Sequence, residues 1–235
     1  MKIAVMQPYI FPYIGYFQLI NAVDKFVFYD DVNFIKQGWI NRNKILVSGK
    51  EFLFTVPIQN ISSNRKINET EISLHQFDKW QKKFLKTLNS SYTKAPHYDE
   101  VMSLIQNVFN EEQNNISSLA INSIRIVCDY LHIGTKFKLS SEKYSDSQGM
   151  VKADRLIDIC KKNNSTEYLN PIGGMEIYTK EDFAEKGIDL KFLATNKTEY
   201  KQFGNDFIPN LSIIDVMMFN SVEEIRKMLD EYILK

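Results

Sequence analysis

The chain reads as an α/β protein: a mainly parallel sheet carrying a β-hairpin addition and a helical insertion. Three observations lead there. The opening residues run apolar strand, helix, apolar strand; the final third returns to the same alternation; between them lie a hairpin pattern and then a long stretch of helical periodicity.

"KIAVMQP" is a short apolar run that ends in proline, a buried strand. From Gly15, "GYFQLINAVD" puts Phe17, Ile20 and Val23 on one face at helical spacing. "KFVFYDDV" is a second apolar strand ending in paired acids. Strand, helix and strand in so short a span form a right-handed βαβ unit with parallel strands. Ligands of such sheets sit at the carboxyl ends of the strands, which places Gln7 to Tyr16 and Asp30 to Lys36 at the expected site edge. Residues 39–58 hold two β-rich runs around "SGKE", a hairpin with a glycine turn. "NISSNRKINET" reads as a mobile polar loop. From about 75 to 133 the pattern is helical, broken at Pro96, with Gly134 as the expected C-cap. Phe77, Trp80, Phe84 and Leu88 recur every three or four residues and read as core. "TKFKLSSE" returns to strand, "VKADRLIDICKKNN" is a helix from Val151, and "TEYLNP" is a strand. "TKEDFAEKG" is a helix with a threonine cap, "IDLKFLAT" a strand, and "SVEEIRKMLDEYI" a capped amphipathic helix. Residues 1–235 are expected to form a single domain.

The chain has 235 residues, 44% hydrophobic and 13% aromatic, enough for a sizeable core. Lys plus Arg equals Asp plus Glu at 29 each, whereas binding of duplex nucleic acid calls for a basic excess. The first residues turn polar too soon for a signal peptide, and no run approaches the roughly 18 apolar residues of a membrane span. Cys128 and Cys160 lie in apolar helical patterns and read as buried free thiols. A cytoplasmic location is expected.

The three histidines, His75, His97 and His132, fall in the helical middle and suit structural or surface roles. No spacing among histidines, cysteines and acids matches a zinc site, and GxSxG, Walker and GxGxxG patterns are absent. What remains is a polar set at strand ends. Gln7 brings an amide, and Tyr9, Tyr13 and Tyr16 bring hydroxyls. Asp30 and Asp31 form either a solvated turn or a site carboxylate with its neighbour facing solvent. In "FIKQGWINRNKI", Lys36, Arg42 and Lys44 are interleaved with Trp39, Asn41 and Asn43, a mix that suits a phosphate beside a flat ring. In "YLNPIGGMEIY", Gly173 and Gly174 follow Asn170 and either admit a ligand close to the backbone or make a plain turn. Farther on, Tyr200, Gln202, Ser212 and Asp215 are polar groups in an apolar stretch; the last two also have the spacing of a helix cap.

"QPYIFPYIGYFQLI", "DKFVFYDDVNFIKQGWINRNKI", "NPIGG" and "FIPNLSIIDVMMFN" together resemble the WbqC-like protein family, from the first residues to near the end. That resemblance implies a role in O-antigen or other surface-polysaccharide biosynthesis, on nucleotide-linked sugars. A fainter similarity joins the amino-terminal third to the nucleotidyltransferase and pantothenate synthetase superfamily, and implies a Rossmann-like (HUP-like) sheet. There Tyr13-Ile14-Gly15-Tyr16 occupies the slot of the HxGH motif, with tyrosine for both histidines; a tyrosine of pKa about 10 donates a hydrogen bond but brings no positive charge.

These readings converge on an amide-forming transferase that passes an acyl or aminoacyl group to the amine of a nucleotide-linked sugar. Gln7, Tyr9, Tyr13, Gly15 and Tyr16 would line the site, Lys36, Arg42 and Lys44 hold phosphates, and Asp30 or Asp31 take the ammonium proton. ATP or an activated donor would be the co-substrate. The rivals are a nucleotidyl- or adenylyl-transferring enzyme and a non-catalytic nucleotide-sugar-binding or scaffold protein.

Overall fold

The computed structural model describes residues 1–235 other than 112, 151, 197 and 205. The first unit is β1 (Lys2–Met6), α1 (Ile14–Asn21) and β2 (Lys25–Phe28). A separate hairpin follows, β3 (Arg42–Val47) and β4 (Lys50–Thr55), then α2 (Leu74–Tyr92), α3 (Tyr98–Asn110) and α4 (Ile116–Tyr130). The chain returns to the sheet with β5 (Lys136–Leu139), α5 (Ser140–Lys143), α6 (Ala153–Lys162) and β6 (Glu167–Pro171). It closes through α7 (Lys180–Ala184), β7 (Asp189–Thr195), α8 (Ile213–Phe219), α9 (Val222–Met228) and β8 (Tyr232–Leu234).

Among the described residues the main sheet has six strands in the order β5-β2-β1-β6-β7-β8. Only β8 is antiparallel, on β7. The chain winds outward from β1 to β2 and β5, then crosses back to β6 and winds the other way. In such sheets the carboxyl ends of the strands at the reversal, here β1 and β6, are the usual ligand position.

Strand alternation decides which face each side chain serves. Ala4, Phe26, Phe28, Leu169 and Leu193 meet one apolar cluster with residues of α1 to α4, α8 and α9. Ile3, Val5, Val27, Tyr168, Leu190 and Phe192 meet a second, with Leu156, Ile159 and Phe183 of α6 and α7. Aromatic edges tie the first face together, Phe26 to Phe28 at 5.2 Å. On the second, Tyr168 lies stacked on Phe183 at 5.3 Å. The expected aromatic stripe of α2 is confirmed as packing, with Trp80 stacked on Phe84 at 5.2 Å.

Four expectations need adjustment. His132, not Gly134, takes the left-handed conformation after α4, with φ +55°; the Ile133 N–H donates back to the Cys128 carbonyl at 2.9 Å. The polar stretch before α2 contains a 3-10 turn, Ile67–Glu69, and a bridge from Asn33 to Lys66. The final amphipathic segment stops at Met228 and continues as β8. Val151, where a helix was expected to start, lies outside the described residues, and α6 begins at Ala153. Cys128 and Cys160 are free and buried, and burial pushes the Cys160 thiol up to about 12. No described helix is long and apolar enough to cross a membrane.

The start of α9 carries a reciprocal cap: Ser221 Oγ accepts from the Glu224 N–H while the Glu224 carboxylate accepts from the Ser221 N–H. Ser221→Ala is expected to cost about 1 kcal/mol, read as a lower denaturant midpoint at unchanged m-value.

Candidate functional site

After Met6 the chain crosses the carboxyl end of the sheet before α1 begins. Ile10 and Phe11 on this crossing are fully buried, and Phe11 has φ +40°, a left-handed backbone that a bulky residue rarely takes. Distant elements hold it there. The Ile10 N–H donates to the Ile40 carbonyl at 3.0 Å, and the Phe11 N–H to Ser123 Oγ of α4 at 3.1 Å. The Phe11 carbonyl accepts from Asn43 Nδ2 of β3 and from Ser212 Oγ, each at 2.7 Å. The Ile213 N–H reaches the Pro12 carbonyl at 2.9 Å.

Two adjoining cavities border this loop. One, of about 300 Å³, lies between Tyr13 and Ile14 at the start of α1, Thr195 and Asn196 after β7, and Tyr200 and Phe207. The other, of about 240 Å³, lies between Tyr9, Tyr13, Trp39 and Asn43. Tyr13 and Asn210 wall both, so the two form one groove. Tyr13 is also the N-cap of α1 and makes no side-chain cap, which leaves the partial positive charge of the helix start facing the larger cavity. Gly15 is confined: a Cβ there would stand 2.5 Å from Thr195 Oγ1 and closer still to the Tyr13 ring. Burial, then the neighbouring Tyr13, pushes the Tyr9 phenol up to about 12, so it is a neutral donor. Tyr16 lies behind the wall, buried, its hydroxyl donating to the Gln7 carbonyl at 2.8 Å.

The hairpin residues divide their work. Trp39 is 42% exposed beside the smaller cavity, with the Arg42 guanidinium 5.7 Å from its ring centroid. Arg42 also donates to the carbonyls of Gln37 and Gly38. Lys44 pairs with Glu51 at 2.6 Å across the hairpin, and Lys36 is exposed. Asn41 donates to the Val56 carbonyl at 2.9 Å, and Asn43 clamps the loop while lining the cavity.

Asp30 and Asp31 are both buried, at 1% and 4% exposure, so neither faces solvent. Asp30 accepts from the Ser141 N–H at 3.0 Å and Ser141 Oγ at 2.6 Å. Asp31 pairs with Arg155 at 2.6 Å and accepts from Gln148 at 2.7 Å and from Ser140. Burial pushes the Asp31 carboxyl up, but the hydrogen bonds of Arg155, Ser140 and Gln148 hold it below the usual range. These serines and Arg155 escaped sequence reasoning. The available signals were "LSSE" after a strand and an arginine beside Leu156 on the apolar face of α6.

Asp215 is buried on the other side of the loop. Tyr92 donates to its Oδ2 at 2.7 Å; Tyr200 and Gln202 donate to its Oδ1 at 2.7 and 2.8 Å. Burial holds its carboxyl above the ordinary value against the pull of those bonds. Ser212 caps α8, accepting from the Ile214 N–H at 3.3 Å as well as holding Phe11. At the end of β6, Asn170 is packed against Gly174, where a Cβ would come within 2.8 Å of the amide carbon; Gly173 has open space. His75 and His132 are exposed, and His97 precedes α3. Among the described residues no group of three His, Cys, Asp or Glu is placed to hold a metal ion. The sequence reading missed Thr195, at the end of β7, and Asn196, Phe207 and Asn210 as groove walls; the last three come from a long connection with no periodic signal.

A model of the WbqC-like protein family matches residues 7–227. A protein of Mycobacterium tuberculosis described as "Uncharacterized protein Rv1507c" is 33% identical over 222 residues, spanning 93% of both chains. No solved structure matches.

The amide of Asn43 and the ammonium of Lys44 predict opposite outcomes on removal. Asn43→Ala strips a buried clamp and is expected to cost about 1–3 kcal/mol, whereas Lys44→Ala breaks an exposed pair and should cost under about 1 kcal/mol; urea unfolding of both decides. Asp31→Ala leaves Arg155 buried and unpaired, for an expected loss of about 3–5 kcal/mol. Because the folded carboxyl lies below its unfolded value of 3.8, its stabilisation is present above that pH and lost as pH falls through the folded value. The acid limb of a melting-temperature profile should therefore be shallower in Asp31→Asn than in the wild type.

Proposed function

The chain belongs to the WbqC-like protein family, and from that premise we propose that it is a transferase that forms an amide on the amino group of a nucleotide-linked sugar, in cytoplasmic surface-polysaccharide biosynthesis. The observation that carries this reading is the groove: two joined cavities between the loop after β1 and the chain leaving β7, aromatic at one end and bounded by a helix start without a side-chain cap at the other.

The parts of such a substrate match those surfaces. Phosphate oxygens suit the start of α1, where no side chain caps the helix. A base or sugar ring suits the faces of Tyr9, Tyr13 and Trp39, and its hydroxyls suit the amides of Asn43, Asn196 and Asn210. Lys36 and Arg42 stand on the segment that carries Trp39 and supply positive charge at the mouth. In this reading Asp30 and Asp31 fix the ends of β2 and β5 behind the groove, with Asn170, Gly173 and Gly174 at the end of β6.

The chemistry is acyl transfer. The neutral amine attacks the carbonyl carbon of an activated acyl or aminoacyl donor, the C–N bond forms, the bond to the leaving group breaks, and the leaving group departs with a proton. Incubation of the purified protein with dTDP-linked amino sugars, acyl thioesters, amino acids and ATP is expected to give a nucleotide sugar heavier by one acyl group, read by mass spectrometry. Pyrophosphate release from a nucleoside triphosphate without acylation would replace this reading with nucleotidyl transfer. A melting-temperature rise with nucleotide sugar and no product across the panel would leave a binding or scaffold protein.

A further inference from the structure

Asp215 differs from the buried carboxylate of Asp31 in the company it keeps. Asp31 has a guanidinium; the three donors to Asp215 are two phenols and an amide, all neutral. Its negative charge is therefore buried with hydrogen bonds but without a cation partner among the described residues. It does not line the groove itself. Tyr200 does, and its hydroxyl donates to Asp215 Oδ1 at 2.7 Å while accepting from the Gln202 amide at 3.3 Å. The far wall of the same cavity is the start of α1, of opposite electrostatic sign.

We propose that Asp215, acting through the Tyr200 hydroxyl, receives the ammonium group of the ligand and takes its proton. The inference rests on the reading of the groove as a nucleotide amino-sugar site. Tyr200 Oη accepts a proton from R–NH3+ as its own proton passes along the hydrogen bond to Asp215 Oδ1. The products are a neutral amine, an intact phenol and a protonated carboxyl, so one positive and one negative charge cancel. Burial favours that outcome, because a carboxyl kept from water is more readily protonated. Tyr200 would touch the substrate; Asp215 acts through it as a positioning residue, while Tyr92 holds its second oxygen and Gln202 shares Oδ1 with Tyr200.

The test compares two probes, a dTDP-linked amino sugar and the same nucleotide sugar with a hydroxyl in place of the amine, by titration calorimetry on the full chain. Tyr200→Phe is the informative variant: the ring keeps its edge contact with Phe207 at 5.1 Å, and Asp215 keeps Tyr92 and Gln202. The wild type is expected to prefer the amine roughly tenfold or more, as a hydrogen bond to a charged group warrants, and Tyr200→Phe to lose that preference through weaker binding of the amine form. Asp215→Asn should lose it too, with a melting curve to confirm folding; should it not fold, the Tyr200→Phe ratio decides alone. A structural role for Asp215 would weaken both probes equally and leave the ratio unchanged, which overturns the inference. Equal binding of both probes by the wild type overturns it while leaving the nucleotide-sugar reading standing, and binding of neither overturns both.

Discussion

Much of the architecture hangs on the backbone of Phe11. A buried phenylalanine in a left-handed conformation costs on the order of 1–3 kcal/mol, and the chain accepts that cost only because its surroundings leave no alternative. Its N–H is taken by α4, and its carbonyl by β3 and by the cap of α8. The conformation turns the chain sharply after β1 and sets where Tyr9 and Tyr13 stand. Asn43 and Ser212, whose side chains resemble ligand-binding groups in the sequence, spend much of their hydrogen-bonding capacity on this one peptide. Holding the loop and shaping the groove are the same task for them.

The two deep carboxylates on either side of that loop behave oppositely. Asp31 has an arginine and stays ionised, so its stabilising contribution is present above its unfolded pKa and disappears in acid. Asp215 has a raised folded pKa, so its contribution is fully present below the unfolded value and is lost as pH rises through the folded one. One carboxylate is an anchor. The other is a charge kept in reserve, at a cost in stability near neutrality. A buried acid with neutral partners beside a cavity points toward chemistry.

The strands and main helices were legible because their signals are local. "KIAVM" and "KFVF" are apolar and short, and Phe84, Leu88 and Tyr92 keep a helical period on α2. The loop at the end of β1 was legible too, since so many tyrosines in a connector have no cheaper explanation. What the residues alone could not tell was allegiance. Arg42 and Lys44 look like phosphate ligands until Trp39, two backbone carbonyls and Glu51 are seen around them. Asp30 and Asp31 look like a turn until Ser140, Ser141 and Arg155, more than a hundred positions away, close over them. Pairings of that separation leave no periodic trace, and the groove walls contributed by the connection after β7 leave none either.

The clamp on Phe11 also has a consequence for assembly. On a ribosome the loop emerges 201 positions ahead of the serine that completes its hydrogen bonding. β1 likewise waits for β6, one of its two sheet neighbours, until the hairpin and α2 to α6 have been made. The aromatic turn is thus the earliest part of the groove to be made and among the last to take shape. A nascent chain that has not yet reached Ser212 would hold those tyrosines without the hydrogen bond that finishes the turn.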